Sequence, residues 1–375
     1  MNELNNPFVT YGYKGTEYFC DRKAETERVT QGLHNERNIT LIAPRRIGKT
    51  GLIHHVFANI KATQPDVCCL YIDIFATKNL EQFVQLLARA IIGRLDSPTQ
   101  SALRKVSEFF SSFRPTMSFD ARTGDPVFSL DIVPSQEEQS LQRIFEYIRL
   151  SGKRCYIAFD EFQRITDYPE TDMEALLRSY IQFLPNVYFI FAGSQHHLME
   201  DMFLSAKRPF YQSSQMVILQ EIEEKEYHAF ASRFFKAKGS SLSYDVFHHL
   251  YSKVDGQTWY VQAILNRIYA MMPKAVTIDD VDAAVNDLVD EQEVAFENYY
   301  TSLTANQSAL LRAIAKEQCV KTPMARSFIM KYRLPALSSI KTALKALVDR
   351  QLVYQYQGHY IVYDRFFGIW LRMQI

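Results

Sequence analysis

The stretch LIAPRRIGKTGLIHH, residues 41–55, constrains the fold of this chain more than any other. It follows the pattern G-x-x-x-x-G-K-[ST], with Ala43 in place of the first glycine. A phosphate-binding loop works because backbone N–H groups at a helix start lack intrahelical partners and converge on an anion, with glycine where the backbone must come close. That chemistry demands strand, loop and helix in this order. NITLIA is a β-branched apolar run ending at Ala43, the loop is Pro44, Arg45, Arg46, Ile47 and Gly48, and KTGLIHHVFANI has helical spacing in Leu52, Ile53, Val56, Phe57 and Ile60. Gly48 lies where the chain wraps the phosphates, so replacing the first glycine matters less than replacing this one would. Pro44 through Gly51 then form the nucleotide cradle: Lys49 bridges the β- and γ-phosphates and the Thr50 hydroxyl coordinates Mg²⁺.

A basic loop opening an ordinary helix would share these features, so a second acidic element has to be found. RCYIAFDEFQ, residues 154–163, is an apolar strand followed by paired acids. It reads as a Walker B segment, with Asp160 holding the Mg²⁺ shell and Glu161 polarising the attacking water. Another strand, VCCLYIDIF at 67–75, stands between the two motifs and argues against small kinases and GTPases; no N-K-x-D guanine motif is present either. A third strand, NVYFIFAGSQ at 186–195, ends in Ser194 and Gln195. At the carboxyl end of a neighbouring parallel strand, Ser194 is expected to touch the γ-phosphate or its water. The pattern predicts an ATP/ADP site with catalytic Lys49, Glu161 and Ser194.

These residues carry a resemblance. APRRIGKTGLI, CYIAFDEFQ and FAGSQ, preceded by YFCDRKAETERV, resemble the archaeal-type ATPases of the STAND branch of AAA+ proteins, P-loop NTPases that are also similar to origin-recognition ATPases. The resemblance covers nearly the whole chain. It implies an α/β fold: a three-layer αβα P-loop core with a parallel sheet, followed by a helical lid and a winged helix. In that family an F-x-G-R-x-x-E segment helps enclose the adenine; Phe19, Arg22 and Glu25 match it, with Asp21 in the glycine position. The family's lid has a Gly-x-Pro turn, where this chain has Gly256, Gln257 and Thr258.

Length and charge support a division of labour. The 375 residues suffice for two or three domains, and 47% hydrophobic residues supply their cores. The expected boundaries are a core at 1–221 with an insertion at approximately 97–135, a lid at 222–300 and a winged helix at 301–375. The insertion reads as a β-hairpin around TGDP, which either reaches a partner or covers the core. EEKEYHAFASRFFKAKG and the acid-rich TIDDVDAAVNDLVDEQEVAFENYY read as lid helices. The last segment contains three short amphipathic helices and a hairpin turning near Gly358. Residues 301–375 carry eleven Lys or Arg against three acids, and the rest of the neutral chain holds the compensating acidity.

That asymmetry makes duplex DNA a candidate partner, with Ser338, Ser339, Lys341, Thr342 and Lys345 on the groove-facing helix, Leu344 and Leu347 in its core, and Arg326, Lys331 and Arg333 near phosphates. Winged helices also bind protein, so a protein partner or self-association stays open. The predicted function is an ATP-hydrolysing switch; the alternative is a scaffold that holds ADP and uses the winged helix for protein contacts. Arg45, Arg46 and Arg208 are candidate arginine fingers. Five scattered cysteines fit buried free thiols rather than zinc or disulfides. The paired histidines lack metal-site spacing, and no leader or apolar run of ~18 residues occurs, which predicts a cytoplasmic location without membrane contact.

Overall fold

The computed structural model describes residues 4–95, 113–119, 126–132, 136–356 and 358–374. Its contacts group into two compact units, Tyr11–Ile222 and Met1–Thr10 with Glu223–Ile375. The first unit is built on a five-stranded, all-parallel sheet of β1 (Ile39–Ile42), β2 (Cys68–Asp73), β5 (Cys155–Asp160), β6 (Val187–Gly193) and β7 (Gln215–Ile218). The strand order is β2-β5-β6-β1-β7. Parallel strands need crossover helices, and these cover both faces, so the inner strands are mostly apolar: every residue of β1 and β5 is buried, with Thr40 and Asp160 the polar members.

On one face lie α1 (Lys23–His34) and α2 (Lys49–Thr63), which bring Val29, Leu33, Leu52, Ile53, Val56, Phe57 and Ile60 onto Leu41, Ala158 and Ile190. The other face is covered by α3 (Leu80–Leu95), α4 (Glu137–Leu150), α5 (Met173–Ile181) and α6 (His196–Leu204). There Phe159, Phe162, Phe189, Phe191, Phe203 and Phe210 pack ring on ring. This is the expected three-layer αβα P-loop core. Within the insertion, β3 (Phe113–Phe119) and β4 (Pro126–Ile132) form the antiparallel hairpin anticipated around TGDP; the rest of the 97–135 segment lies outside the described residues.

The second unit is helical. It runs from α7 (Glu224–Ala237) through α8 (Tyr244–Lys253), α9 (Thr258–Met271), α10 (Ile278–Asp290) and α11 (Glu293–Thr301). The acid-rich stretch expected as one helix is two. Asp290 and Glu291 sit unfavourably at a helix carboxyl end, whereas Glu293 suits the start of the next. A winged helix follows: α12 (Ala305–Glu317), α13 (Arg326–Lys331), α14 (Leu337–Asp349) and the hairpin β8 (Val353–Tyr356) and β9 (His359–Val362). Val320 pairs with Tyr360 as the third strand position of the wing. A last helix, α15 (Arg365–Met373), buries Phe366, Phe367, Ile369, Trp370 and Leu371, and Phe367 meets Phe296 of α11 at 5.2 Å.

The chain's start belongs to this second unit. Phe8 is fully buried, packed between Phe234, Phe235 and Tyr269 at ring separations of 5.8, 5.6 and 5.5 Å. Asn6 and Asn266 lock the segment in place by exchanging backbone hydrogen bonds: Asn6 donates to the Asn266 carbonyl at 2.9 Å and Asn266 to the Phe8 carbonyl at 2.7 Å. Truncating Phe8 leaves a cavity among aromatic rings. Phe8→Ala is expected to destabilise this unit by about 3–5 kcal/mol, read as a lowered urea midpoint.

Candidate nucleotide site

The sheet register explains why four loops meet. Asp73 stands opposite Asp160, and Ile42 opposite Gly193 and Ile218, so β1, β2, β5 and β6 end at one edge. From that edge the chain passes Ala43 and Pro44, turns through Arg46 at φ 69° and Gly48 at φ 100°, and enters α2 at Lys49. Glycine is required at position 48 because an L side chain is strained there. Arg45 lies 5.3 Å over the ring of Phe75.

Lys49 is only 6% exposed. Its ammonium contacts Asp160 Oδ1 at 2.7 Å and Glu161 Oε1 at 3.1 Å. Asp160 is saturated: Oδ2 accepts from the Thr50 hydroxyl at 2.7 Å and the Tyr71 hydroxyl at 2.8 Å, and Oδ1 also accepts from the Glu161 N–H at 2.9 Å. Glu161 adopts a left-handed backbone, φ 56° and ψ 42°, as the chain leaves β5. Its Oε2 accepts from Ser194 and from Gln163, each at 2.6 Å. Burial pushes both carboxyls up, but Lys49 and the hydroxyl and amide donors outweigh it and hold both below their ordinary values. Burial also raises Asp73 and the Tyr71 hydroxyl, the latter strengthened by neighbouring Asp160.

The structure therefore brings Lys49, Thr50, Asp160, Glu161 and Ser194 into one hydrogen-bonded network. Ser194, expected at the γ-phosphate or its water, donates to Glu161, the carboxylate expected to polarise that water. Tyr71 and Gln163 were not anticipated. Tyr71 looks like an ordinary strand residue in the sequence, and only its strand-alternation phase, two residues before Asp73, hints at its direction. Gly193 keeps the network tight: a Cβ there would fall 2.4 Å from Met199 Sδ and 2.5 Å from Gln163 Oε1.

Phe19 and Arg22 flank the loop. The buried Arg22 guanidinium donates to the Ile47 carbonyl at 3.1 Å and pairs with Glu25 at 2.8 Å, which ties α1 to the loop. Asp21 and Arg22 are both left-handed, at φ 50° and 60°; Asp tolerates this conformation better than most residues, which accounts for aspartate where the resembling family has glycine. Phe19 lies against Gly51 and stacks on His55 at 4.3 Å, and His55 bonds the Tyr13 hydroxyl at 3.0 Å. His54 rests on Tyr71 at 4.5 Å. Burial lowers the pKa of both histidines and favours their neutral rings. Arg208 pairs with Glu174 at 2.7 Å and Asp201 at 3.3 Å, within its own unit.

In the second unit Gly256 is left-handed at φ 63°, and Thr258 is the first residue of α9. The first N–H of a helix has no intrahelical partner, so this first helical position accepts proline and threonine alike. On α14, Ile340, Ala343, Leu344 and Leu347 are buried, whereas Ser338, Lys341, Thr342 and Lys345 are exposed and Ser339 is half-buried. Arg326 and Arg333 are exposed as well; Lys331 is paired with Glu317.

Comparison with known proteins agrees with this architecture. A family model described as a probable winged helix domain matches residues 294–373. The Walker-type ATPase of Pyrococcus abyssi is 17% identical with a TM-score of 0.67, over 98% of this chain and 99% of that one. The ORC2 protein of Aeropyrum pernix, in ADPNP–ADP complexes, is 15% identical with a TM-score of 0.61, over 98% of each chain. The ORC1 protein of the same organism, in complex with DNA, is 12% identical with a TM-score of 0.55, over 99% of this chain and 96% of that one. The comparison with curated proteins gave no match. The chain thus shares the fold of these proteins: a three-layer αβα P-loop core followed by helices and a C-terminal winged helix. Among the described residues no helix is long and apolar enough to cross a membrane.

Two outcomes test this geometry. Gly193→Ala should displace Gln163 and Met199 and cost about 1–3 kcal/mol, measured by urea unfolding. Because Asp160 and Glu161 hold their protons less tightly when folded, their contribution is complete above the ordinary values of 3.8 and 4.5 and is lost as pH falls through the depressed ones. Stability should therefore fall in acid, and the fall should be shallower in Asp160→Asn.

Proposed function

We propose that the protein binds and hydrolyses ATP as a STAND-type switch whose basic winged helix engages duplex DNA. The observation that carries this reading is the network in which Lys49 is held by Asp160 and Glu161 while Ser194 and Gln163 grip the far oxygen of Glu161. The loop's N–H groups and Lys49 would bind the β- and γ-phosphates. Among the described residues no cluster of three or more His, Cys, Asp or Glu could hold a metal. The hydroxyl of Thr50 and the carboxylate of Asp160, 2.7 Å apart, form the sparse oxygen set that suits Mg²⁺ beside phosphates. Bound there, Mg²⁺ would offset negative charge on the phosphate oxygens.

Lys49 drawn toward phosphate would release Glu161 Oε1, while Oε2 stays anchored by Ser194 and Gln163. The freed oxygen would then orient a water for in-line attack. A carboxylate kept anionic by its neighbours suits orientation, and Ser194 and Gln163 act as positioning residues. Phe19 and Arg22 would border the base. Arg45, Arg46 and Arg208 are the finger candidates, with Arg208 paired to Glu174 and Asp201.

The ORC1 likeness and the exposed Lys341, Thr342 and Lys345, with Ser339 beside them, support DNA as partner. One observation favours the scaffold reading with protein contacts: Met330 and Leu337, next to these residues, are 67% and 55% exposed, and Lys331 is neutralised by Glu317. Steady-state hydrolysis with and without duplex DNA decides between them. Glu161→Gln should lower turnover about 10²–10⁴-fold while retaining ATP binding. Lys341→Glu with Lys345→Glu should abolish a salt-sensitive DNA mobility shift without altering ATP affinity. Copurified ADP, no turnover and no shift in the wild type would establish the scaffold instead.

A further inference from the structure

The β2–β5 pair has another end, five residues or about 16 Å from Asp160. There Cys68 and Cys155 stand directly opposite each other, and the Cys155 thiol donates to the Lys153 carbonyl at 3.6 Å. Cys155 is fully buried and Cys68 half-buried. Cys68 lines an open cavity of about 570 Å³ together with Lys61, Arg94 and Lys153; Asp66 is the single acid among the described residues lining it. Lys153 is held at the rim by the Leu95 carbonyl at 2.6 Å. The nucleotide chemistry uses none of these groups.

A sulfur that lines a cavity with several cations is stabilised as its anion. The adjacent Cys155 lowers the Cys68 thiol below its ordinary value; burial opposes this, and Lys153, Lys61 and Arg94 reinforce it. Cys155 is pushed the other way, first by adjacent Cys68 and then by burial, so it stays protonated. Cys69 also borders this cavity, but burial raises its thiol to about 12, so it is less reactive than Cys68. The same cations that favour a thiolate would attract a negatively charged reagent.

We infer that Cys68 is a thiol-modification site whose cationic cavity selects small anionic disulfides, such as a carboxylate-bearing peptide disulfide, and captures them as mixed disulfides. In the reaction the Cys68 thiolate attacks one sulfur of the reagent. A Cys68–sulfur bond forms, the reagent's sulfur–sulfur bond breaks, and its other half leaves as a thiolate that takes a proton from water. No oxidant beyond the disulfide is consumed.

The test uses the full chain and follows each cysteine by peptide mass spectrometry, with exposed Cys319 as internal reference. Alkylation rates are compared for anionic iodoacetate and neutral iodoacetamide. The iodoacetate-to-iodoacetamide ratio at Cys68 should exceed that at Cys319 by about tenfold, the preference expected of several partly solvated cations. Lys61→Gln with Lys153→Gln should bring the ratio toward that of Cys319, and glutathione disulfide should form a mixed disulfide at Cys68. Equal ratios at the two cysteines in the wild type, or no glutathione adduct on Cys68, would overturn the inference whether or not the variant folds.

Discussion

A buried ammonium and the groups that balance it hold the sheet-bearing unit of this molecule in register. Lys49 is almost inaccessible to water, and a lone buried charge would cost several kcal/mol. It is tolerated because β5 ends in two acids, one on each side of its nitrogen. Those acids need donors of their own, which come from α2 through Thr50, from β2 through Tyr71, from β6 through Ser194 and from the turn after β5 through Gln163. Three strands and one helix thus have to end at the same level of the sheet. The parallel register supplies that alignment by setting Asp73 beside Asp160 and Gly193 beside Ile42.

The same arrangement holds potential for change. Lys49 is shared between two carboxylates, and under the proposed function a polyphosphate would compete for it with more negative charge than either. Asp160 has other donors on both oxygens, whereas Glu161 relies on Lys49 for Oε1 alone. Loss of the lysine contact therefore alters Glu161 more than Asp160. The left-handed turn at Glu161 aims that carboxylate away from the strand, a conformation kept by the donors on its far side.

Much of this was legible from residue order. The alternation of apolar runs with Gly48-Lys49-Thr50, Asp160-Glu161 and Ser194 announces strand, loop and acid because each motif needs a particular local backbone. Leu344 and Leu347 were readable as core from helical spacing, and the hairpin around TGDP from its turn residues. Less legible were features set by long-range packing. Nothing local to Phe8 says that it is buried among rings more than 220 residues later in the chain. Nothing local to FFGIWLRM separates a final helix from a strand, since a short apolar run fits either. The break at Glu291 and Gln292 follows from charge placement but was masked by continuous helical composition.

The sequence by itself determined the chemical inventory: a glycine able to turn at the loop, a lysine and hydroxyl at a helix start, paired acids after an apolar strand, and a basic final segment. These are local properties, and a span of a few residues carries each of them. The tertiary structure alone decided which partners those groups keep. Ser194 faces Glu161 rather than open space, Tyr71 joins Asp160, Arg208 is taken by Glu174 and Asp201, and Cys68 meets Cys155 beneath three cations. Each of those choices depends on strand order and register, which arise when the whole sheet closes over its two apolar faces and no short segment encodes them.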